Sequence, residues 1–266
     1  KVAMKGCDQV YHMGGNASIW EKDSSRYYTI NVDGTRNIMD AALELNVKRV
    51  VFTSTAGVLG PSYGGIVTEM KCRNVDYFNE YESSKAMAES LVKSYVTEKN
   101  LDAVIVSPTR VFGPVLFGEP ASVTLLISKY AKGKWRIIPG DGSKIGNYVF
   151  VDDVVKGHIL AMENGVKGGT YILGGENHSY NEFFKILREE SGLDYKLINT
   201  SIGVQLLFAH LNKFFAILRN KKPALTTKWV RRGNYHWEVS PNKAIEKLHL
   251  KITPLREGIK RTLNSL

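Results

Sequence analysis

The sequence predicts an α/β protein built on a doubly wound parallel sheet. Two observations carry that expectation. Residues 47–54 (Val-Lys-Arg-Val-Val-Phe-Thr-Ser) and 102–107 (Asp-Ala-Val-Ile-Val-Ser) have near-continuous apolar middles, the pattern of strands covered on both faces. Each is joined to its neighbour through a stretch of helical spacing far longer than a hairpin turn, so the connections read as right-handed crossovers between parallel strands.

Taken in order, residues 7–15 read as a short strand running into the turn Gly14-Gly15, where a backbone lacking Cβ atoms can approach a ligand closely or simply turn tightly. His12 falls inside that strand and reads as structural. Residues 25–45 carry Ile30, Ile38, Met39, Ala42 and Leu43 at helical spacing, with Gly34-Thr35 marking a place of close packing. The strand 47–54 ends in Thr53-Ser54-Thr55-Ala56-Gly57. Hydroxyls at the carboxyl end of such a strand sit where open α/β sheets bind ligands, or else cap the turn. A helix over 77–99 follows, then the strand 102–107, stopped by Pro108. Val111-Phe112-Gly113-Pro114 turns the chain out of the sheet. Further helices are expected over 122–132 and 152–164, the latter capped by Asp152 or Asp153, with strand segments at 137–142, 147–151 and 170–173. Beyond Gly174-Gly175 the character changes to helices at 181–190, 205–218, 241–248 and 254–263 and a strand at 195–200. We therefore divide the chain into residues 1–175, with 114–146 as an excursion to the substrate side, and a smaller mixed unit of residues 176–266 for substrate.

The 266 residues suffice for a full core, and 43% hydrophobic with 23% charged is an ordinary globular balance. The net charge of +10 gathers late, in Lys213, Arg219, Lys221, Lys222, Lys228, Arg231 and Arg232. A solvated basic face is the expectation, because no aromatic-interleaved nucleic-acid motif accompanies it. The helix 205–218 is rich in Leu, Phe and Ala ahead of this cluster. A core or substrate-lining role is expected for it, with a membrane-surface role as the alternative. Cys7 and Cys72 form no metal-ligand spacing and no disulfide framework. A small-molecule enzyme of the cytoplasm is expected, with no metal, nucleic-acid partner or stable membrane insertion.

Chemistry enters with Tyr81-Glu82-Ser83-Ser84-Lys85. A tyrosine and a lysine four apart share a helix face, and a nearby ammonium favours the phenolate and lowers the phenol pKa. Such a phenol can act as a general acid/base near neutral pH.

The order Val10-Tyr11-His12-Met13-Gly14-Gly15, Asn31-Val32-Asp33-Gly34-Thr35-Arg36-Asn37, Phe52-Thr53-Ser54-Thr55-Ala56, Tyr81-x-x-x-Lys85, Pro108-x-x-Val111-Phe112-Gly113-Pro114 and Phe150-Val151-Asp152-Asp153-Val154 resembles the extended short-chain dehydrogenase/reductase superfamily, in its NAD-dependent epimerase/dehydratase group. The match runs to Pro254-Leu255-Arg256-Glu257-Gly258. The resemblance implies a Rossmann-type sheet and NAD or NADP as cofactor. It implies Tyr81 as the acid/base, Lys85 on the nicotinamide ribose and lowering the tyrosine pKa, and Thr55 on the substrate oxygen. It places Met13, Gly14, Gly15, Thr53, Tyr81, Lys85, Pro108 and Val111 along the cofactor, with Asn31 as a structural helper. It allows a homodimer through the helices near 25–45 and 77–99.

Two departures shape the expectation. The family's glycine-rich phosphate turn and first strands do not occur here; they imply about sixty residues upstream at about thirty per βαβ unit, and leave the choice between NAD and NADP open. The turn Ser107-Pro108-Thr109-Arg110 is similar to the dihydroflavonol-reductase and hydroxysteroid-dehydrogenase branch rather than to sugar-nucleotide enzymes. Arg110 is expected either on an anionic group or in a surface salt bridge. The resemblance thus implies hydride transfer to or from a ketone or secondary alcohol, dihydroflavonol 4-reductase-like. A nucleotide-sugar epimerase/dehydratase with the same Thr-Tyr-Lys centre is the alternative, and a non-catalytic NAD(P)-sensing protein is the rival from another class.

Overall fold

The computed structural model describes residues 1–115, 118, 121–219 and 221–266. The expected substrate-side stretch is described except for Leu116, Phe117, Glu119 and Pro120, and the basic cluster except for Asn220, which lie outside the described residues.

Four parallel strands, β1 (Gln9–His12), β2 (Arg49–Thr53), β3 (Ala103–Pro108) and β7 (Thr170–Leu173), form the main sheet in the order β1-β2-β3-β7. Their alternation explains why the central strands read as apolar throughout. Val50 and Phe52 of β2 and Ala103 and Ile105 of β3 pack on one side, with Met39, Ala42, Val92 and Tyr95. Val51, Val104 and Val106 pack on the other, with Val154, Ala161 and Leu248. Both faces are covered, so successive residues are all apolar.

The first face is covered by α2 (Gly34–Glu44) and α3 (Glu80–Lys99). The expected helix over 25–45 is present but broken: α1 (Ser25–Tyr28) passes into a π-helical turn, Thr29–Asp33, before α2 begins. Gly34 is not a point of close contact, since the nearest atom to a Cβ there is the Thr29 carbonyl at 3.8 Å. Helix α3 begins later than residue 77 because Asn79 caps it, its side chain accepting from Glu82 N at 2.9 Å. It ends on Asn100, in the left-handed conformation at φ 59°. Ser84, Lys85, Ala88, Val92 and Tyr95 recur at helical spacing on its buried face, which is why a lysine is carried inward.

The second face is covered by α5 (Val151–Asn164) and α9 (Asn242–Leu248). Neither Asp152 nor Asp153 caps α5. Asp153 instead accepts from Thr253 N and Oγ1 at 2.6 and 2.8 Å, and Asp152 pairs with Arg261 at 2.6 Å. Helix α9, which follows Gly175 in the chain, packs on the main sheet.

The remaining elements build a second core. Strand β4 (Arg110–Phe112), in the stretch expected to be only a turn, pairs with β6 (Ile145–Phe150), which pairs with β8 (Glu176–Ser179). Strands β5 (Ile137–Pro139) and β9 (Ile198–Thr200) pair separately. Helices α4 (Ser122–Ala131), α6 (Tyr180–Ser191) and α10 (Leu255–Leu263) enclose Phe112, Tyr130, Phe150, Phe183 and Ile259. Helix α6 starts with a reciprocal capping box between Ser179 and Glu182.

Helix α7 (Ile202–Leu218) departs most from expectation. Only Ala209 of it is buried, so it is not a core helix. Helix α8 (Thr227–Gly233) follows it.

Gly113 stands at φ 152°, where an added Cβ would lie 2.4 Å from Val151 Cγ1. Gly113→Ala is expected to lower unfolding free energy by about 1–3 kcal/mol through overpacking. Gly203→Ala in α7, whose Cβ would meet nothing nearer than 4.0 Å, is expected to raise it by about 0.5–1 kcal/mol. Urea unfolding of the two variants checks both signs.

Candidate active site

Strands β1, β2 and β3 are parallel, so their carboxyl ends share one edge of the sheet. That edge carries Met13, Gly14 and Gly15 after β1, Thr53 and Thr55 at the end of β2, and Pro108 at the end of β3. Helix α3 lays Tyr81 and Lys85 across it.

Lys85 is buried, and its ammonium donates to the Thr53 carbonyl at 2.6 Å and lies 4.3 Å from the Phe52 ring centre. Burial lowers its pKa to about 8, the more distant Glu89 carboxylate opposing the shift. Tyr81 is half-buried, its phenol beside the Thr55 side chain. Burial pushes its phenol up from its ordinary range, opposed by the Thr55 hydroxyl and the Arg232 charge. The i, i+4 spacing predicts the reverse direction through Lys85. The ammonium is directed to the strand carbonyl instead, and Lys85 is not among the charges acting on the phenol.

Thr55 has two structural partners. Its Oγ1 accepts from Gly57 N at 3.2 Å, capping the turn Ala56–Leu59, and its side chain lies beside the Tyr81 phenol.

A polar network holds the glycine turn against α3. The π-helical turn directs Asn31 fully inward. Its Oδ1 accepts from Asn16 N at 2.6 Å, and its Nδ2 donates to Asn16 O at 3.1 Å and to Ser84 Oγ at 2.8 Å. Ser84 Oγ donates to the Tyr81 carbonyl at 2.9 Å. A Cβ on Gly15 would lie 3.2 Å from Asn31 Oδ1 and 3.8 Å from Lys85 Nζ, so the glycine leaves an open approach to the ammonium.

Two histidines buttress the edge. His12 bonds Thr35 Oγ1 at 2.9 Å, and burial, with the Lys85 charge as a second cause, lowers its pKa to about 4. His158 donates from Nδ1 to the Val154 carbonyl at 2.7 Å, which leaves Nε2 to accept from Thr53 Oγ1 at 2.8 Å. Burial lowers its pKa as well.

Two openings meet at this edge. A cleft of about 320 Å³ is lined by Ser18, Trp20, Tyr27, Tyr81, Lys213 and Trp229. A smaller one of about 50 Å³ is lined by Thr55, Pro108, Thr109, Arg110, Asn147 and Arg232. Met13, Gly14 and Gly15 are exposed beside them. Val111 is not brought to either opening; it packs against the Val149 and Val154 core.

In the late basic cluster Lys213, Arg219, Lys221, Lys222, Lys228 and Arg231 are exposed, as expected of a solvated face, and Arg232 turns inward. Glu82, buried, binds Arg232 at 2.7 Å and Arg73 at 3.0 Å, and Lys228 pairs with Glu80. Arg232 also lies 3.9 Å from the Trp237 ring centre. Among the described residues Arg110 is in no salt bridge: its neighbours are the Tyr148 and Tyr180 hydroxyls at 3.4 and 3.5 Å. Gly146 makes room for it, since a Cβ there would lie 2.4 Å from Arg110 Nη1. Sequence reading overlooked Glu82 and Asn147. The position of Glu82 between Tyr81 and Lys85 was the available signal. Asn147 was visible only as the start of a strand. Among the described residues no group of three His, Cys, Asp or Glu is placed to hold a metal ion.

A parallel sheet with a phenol, a hydroxyl and an ammonium at its carboxyl edge defines a Rossmann-type α/β protein. The profile of the NAD-dependent epimerase/dehydratase family matches residues 1–174, and the chain belongs to that family. It is 27% identical over 281 residues to the 3beta-hydroxysteroid-dehydrogenase/decarboxylase isoform 2 of Arabidopsis thaliana, covering 99% of this chain and 49% of that protein. It is 26% identical to a dihydroflavonol 4-reductase candidate of Synechocystis sp., covering 96% of this chain and 75% of that one. The crystal structure of gox2253 superposes with a TM-score of 0.81 at 29% identity, over 99% of this chain and 79% of that one. The chain thus spans about half the length of the first of these relatives.

A buried histidine held neutral makes the fold sensitive to acid. The pKa of His12 lies near 4 when folded and near 6.5 when unfolded, so between those values the unfolded chain binds the extra proton and stability falls as pH falls. The loss between pH 6.5 and 4 is on the order of 3 kcal/mol. His12→Gln is expected to flatten that part of the profile, measured by urea unfolding at stepped pH. An unchanged slope would refute the assignment.

Proposed function

We propose that this chain carries the proton-transfer centre of an NAD(P)-dependent oxidoreductase acting on a ketone or secondary alcohol. The carrying observation is the Tyr81 phenol set beside Thr55, with Lys85 buried one turn further along the same helix, at the carboxyl edge of the sheet. Tyr81 Oη gives a proton to the substrate oxygen in the reducing direction and takes it in the oxidising one. Its raised pKa keeps it protonated at neutral pH, the form needed for a reduction. Thr55 Oγ1 donates to the same oxygen and orients it.

The residues present fit a nicotinamide cofactor at the open approach past Gly15 to Lys85. Met13, Gly14, Gly15, Thr53, Tyr81, Lys85 and Pro108 would hold it, and when bound it supplies or accepts the hydride. Lys85, whose ammonium lies at that approach, would hold the ribose side of the cofactor. Similarity to the Synechocystis reductase candidate and the plant dehydrogenase/decarboxylase supports carbonyl–alcohol chemistry as the first reading. The family's epimerase/dehydratase members support the second, with the same centre and no net turnover of cofactor. The whole protein is proposed to act on a small molecule, without nucleic acid, in the cytoplasm.

In the intact protein, Tyr81→Phe is expected to reduce hydride transfer by about 10²–10⁴-fold while cofactor binding persists. Absorbance of the reduced nicotinamide follows the first, and its fluorescence on binding the second. Retained activity overturns the proton role. Stoichiometric consumption of reduced cofactor selects the reductase reading, and turnover with catalytic cofactor selects the epimerase.

A further inference from the structure

Helix α7 presents two unlike faces. Gln205, Leu206, Ala209, Asn212 and Ala216 recur at helical spacing and are its less exposed side. Gln205 Nε2 donates to Thr200 O at 2.7 Å, and Asn212 Oδ1 accepts from Ala224 N at 2.8 Å, so this side is tethered to the protein. The opposite side carries Leu207, Phe208, Leu211, Phe214, Phe215 and Leu218, each between 48% and 67% exposed. From Leu207 to Leu218, about 17 Å of helix, they form one continuous apolar stripe. Water-soluble surfaces scatter such residues singly, and a continuous stripe marks an interaction face.

Charge decides the occupant. Between residues 195 and 237 there is no aspartate or glutamate, while lysine and arginine occur eight times. Arg219, Lys221 and Lys222 stand exposed at the end of the helix. Their nearest acidic group in an ion pair is Glu21, 4.0 Å from Lys222. An apolar stripe rimmed by cations alone matches a surface that is apolar inside and anionic at its rim, which is the headgroup–acyl boundary of an anionic bilayer. A second copy of this chain would bring the same acid-free rim against its own. No helix among the described residues is long and apolar enough to cross a membrane, so the contact is with one leaflet. We propose that α7 docks this protein on anionic lipid bilayers, lying in the interface with Phe208 and Phe215 inserted. Lys213 of the same helix lines the cleft that reaches Tyr81, so docking sets the mouth of that cleft at the lipid surface, where an apolar substrate would reside.

The test is sedimentation of the intact protein with vesicles of phosphatidylcholine plus phosphatidylserine, and with phosphatidylcholine alone. Retention on the anionic vesicles is expected, weakening as salt is raised. Phe208→Glu and Phe215→Glu lie at exposed positions and are expected to leave the fold intact, which circular dichroism checks. Each is expected to weaken retention by about tenfold or more, as loss of one buried aromatic side chain does. Lys221→Glu with Lys222→Glu is expected to abolish the preference for the anionic vesicles. No retention of the unaltered protein, or equal retention of the phenylalanine variants, overturns the proposal. So does a dimer in solution that the same variants dissociate while vesicles bind neither form, because the face would then belong to a second copy.

Discussion

The buried ammonium of Lys85 is the constraint from which the candidate site follows. A lysine taken out of water must find an oxygen, and here it is the Thr53 carbonyl at 2.6 Å. That bond fixes α3 against the carboxyl end of β2 and sets Tyr81, one turn earlier, beside Thr55. The ring of Phe52 provides a second favourable surface for the charge, 4.3 Å from its centre. The same charge helps keep His12 neutral, and Gly15 passes close to it because no Cβ intervenes.

Around this pair the polar groups are arranged to restrict movement. Asn31 ties the backbone of Asn16 to Ser84, and Ser84 ties back to the Tyr81 carbonyl. The π-helical turn adds the extra residue that brings Asn31 fully inside. On the other side Glu82 holds Arg73 and Arg232 together, so a buried carboxylate is matched by two guanidiniums. Both arrangements satisfy buried polar groups by one another, which a low-dielectric interior requires. They also leave Thr55 and Tyr81 facing the openings rather than each being absorbed into the core.

The second core and α7 serve a different end. The aromatic cluster of Phe112, Phe150 and Phe183 supports β4 and β6, which carry Arg110 and Asn147 to the smaller opening. Helix α7 adds almost nothing to that core, and its apolar residues face outward. An energetic account based on burial alone has no use for this stripe; a surface that receives it does.

The parallel sheet was legible because both of its faces are covered, which makes the strands apolar without interruption at Val50-Val51-Phe52 and Val104-Ile105-Val106. Helix α3 was legible from its spacing, and Tyr81, Lys85 and Thr55 from their order along the chain. The partners of those residues were not. The ammonium of Lys85 goes to a strand carbonyl rather than to the phenol one turn away, because burial gives the nearer reward to an immobile backbone oxygen. Asp153 leaves the helix start to hold Thr253, one hundred residues on. Of the late basic residues, Arg232 turns inward to the buried Glu82, while Lys228 meets Glu80 at the surface and the rest stay exposed. Period and order along the chain determined which elements form and which faces they bury. Only the tertiary structure decided where charges and hydroxyls point, because that depends on contacts between residues far apart in sequence.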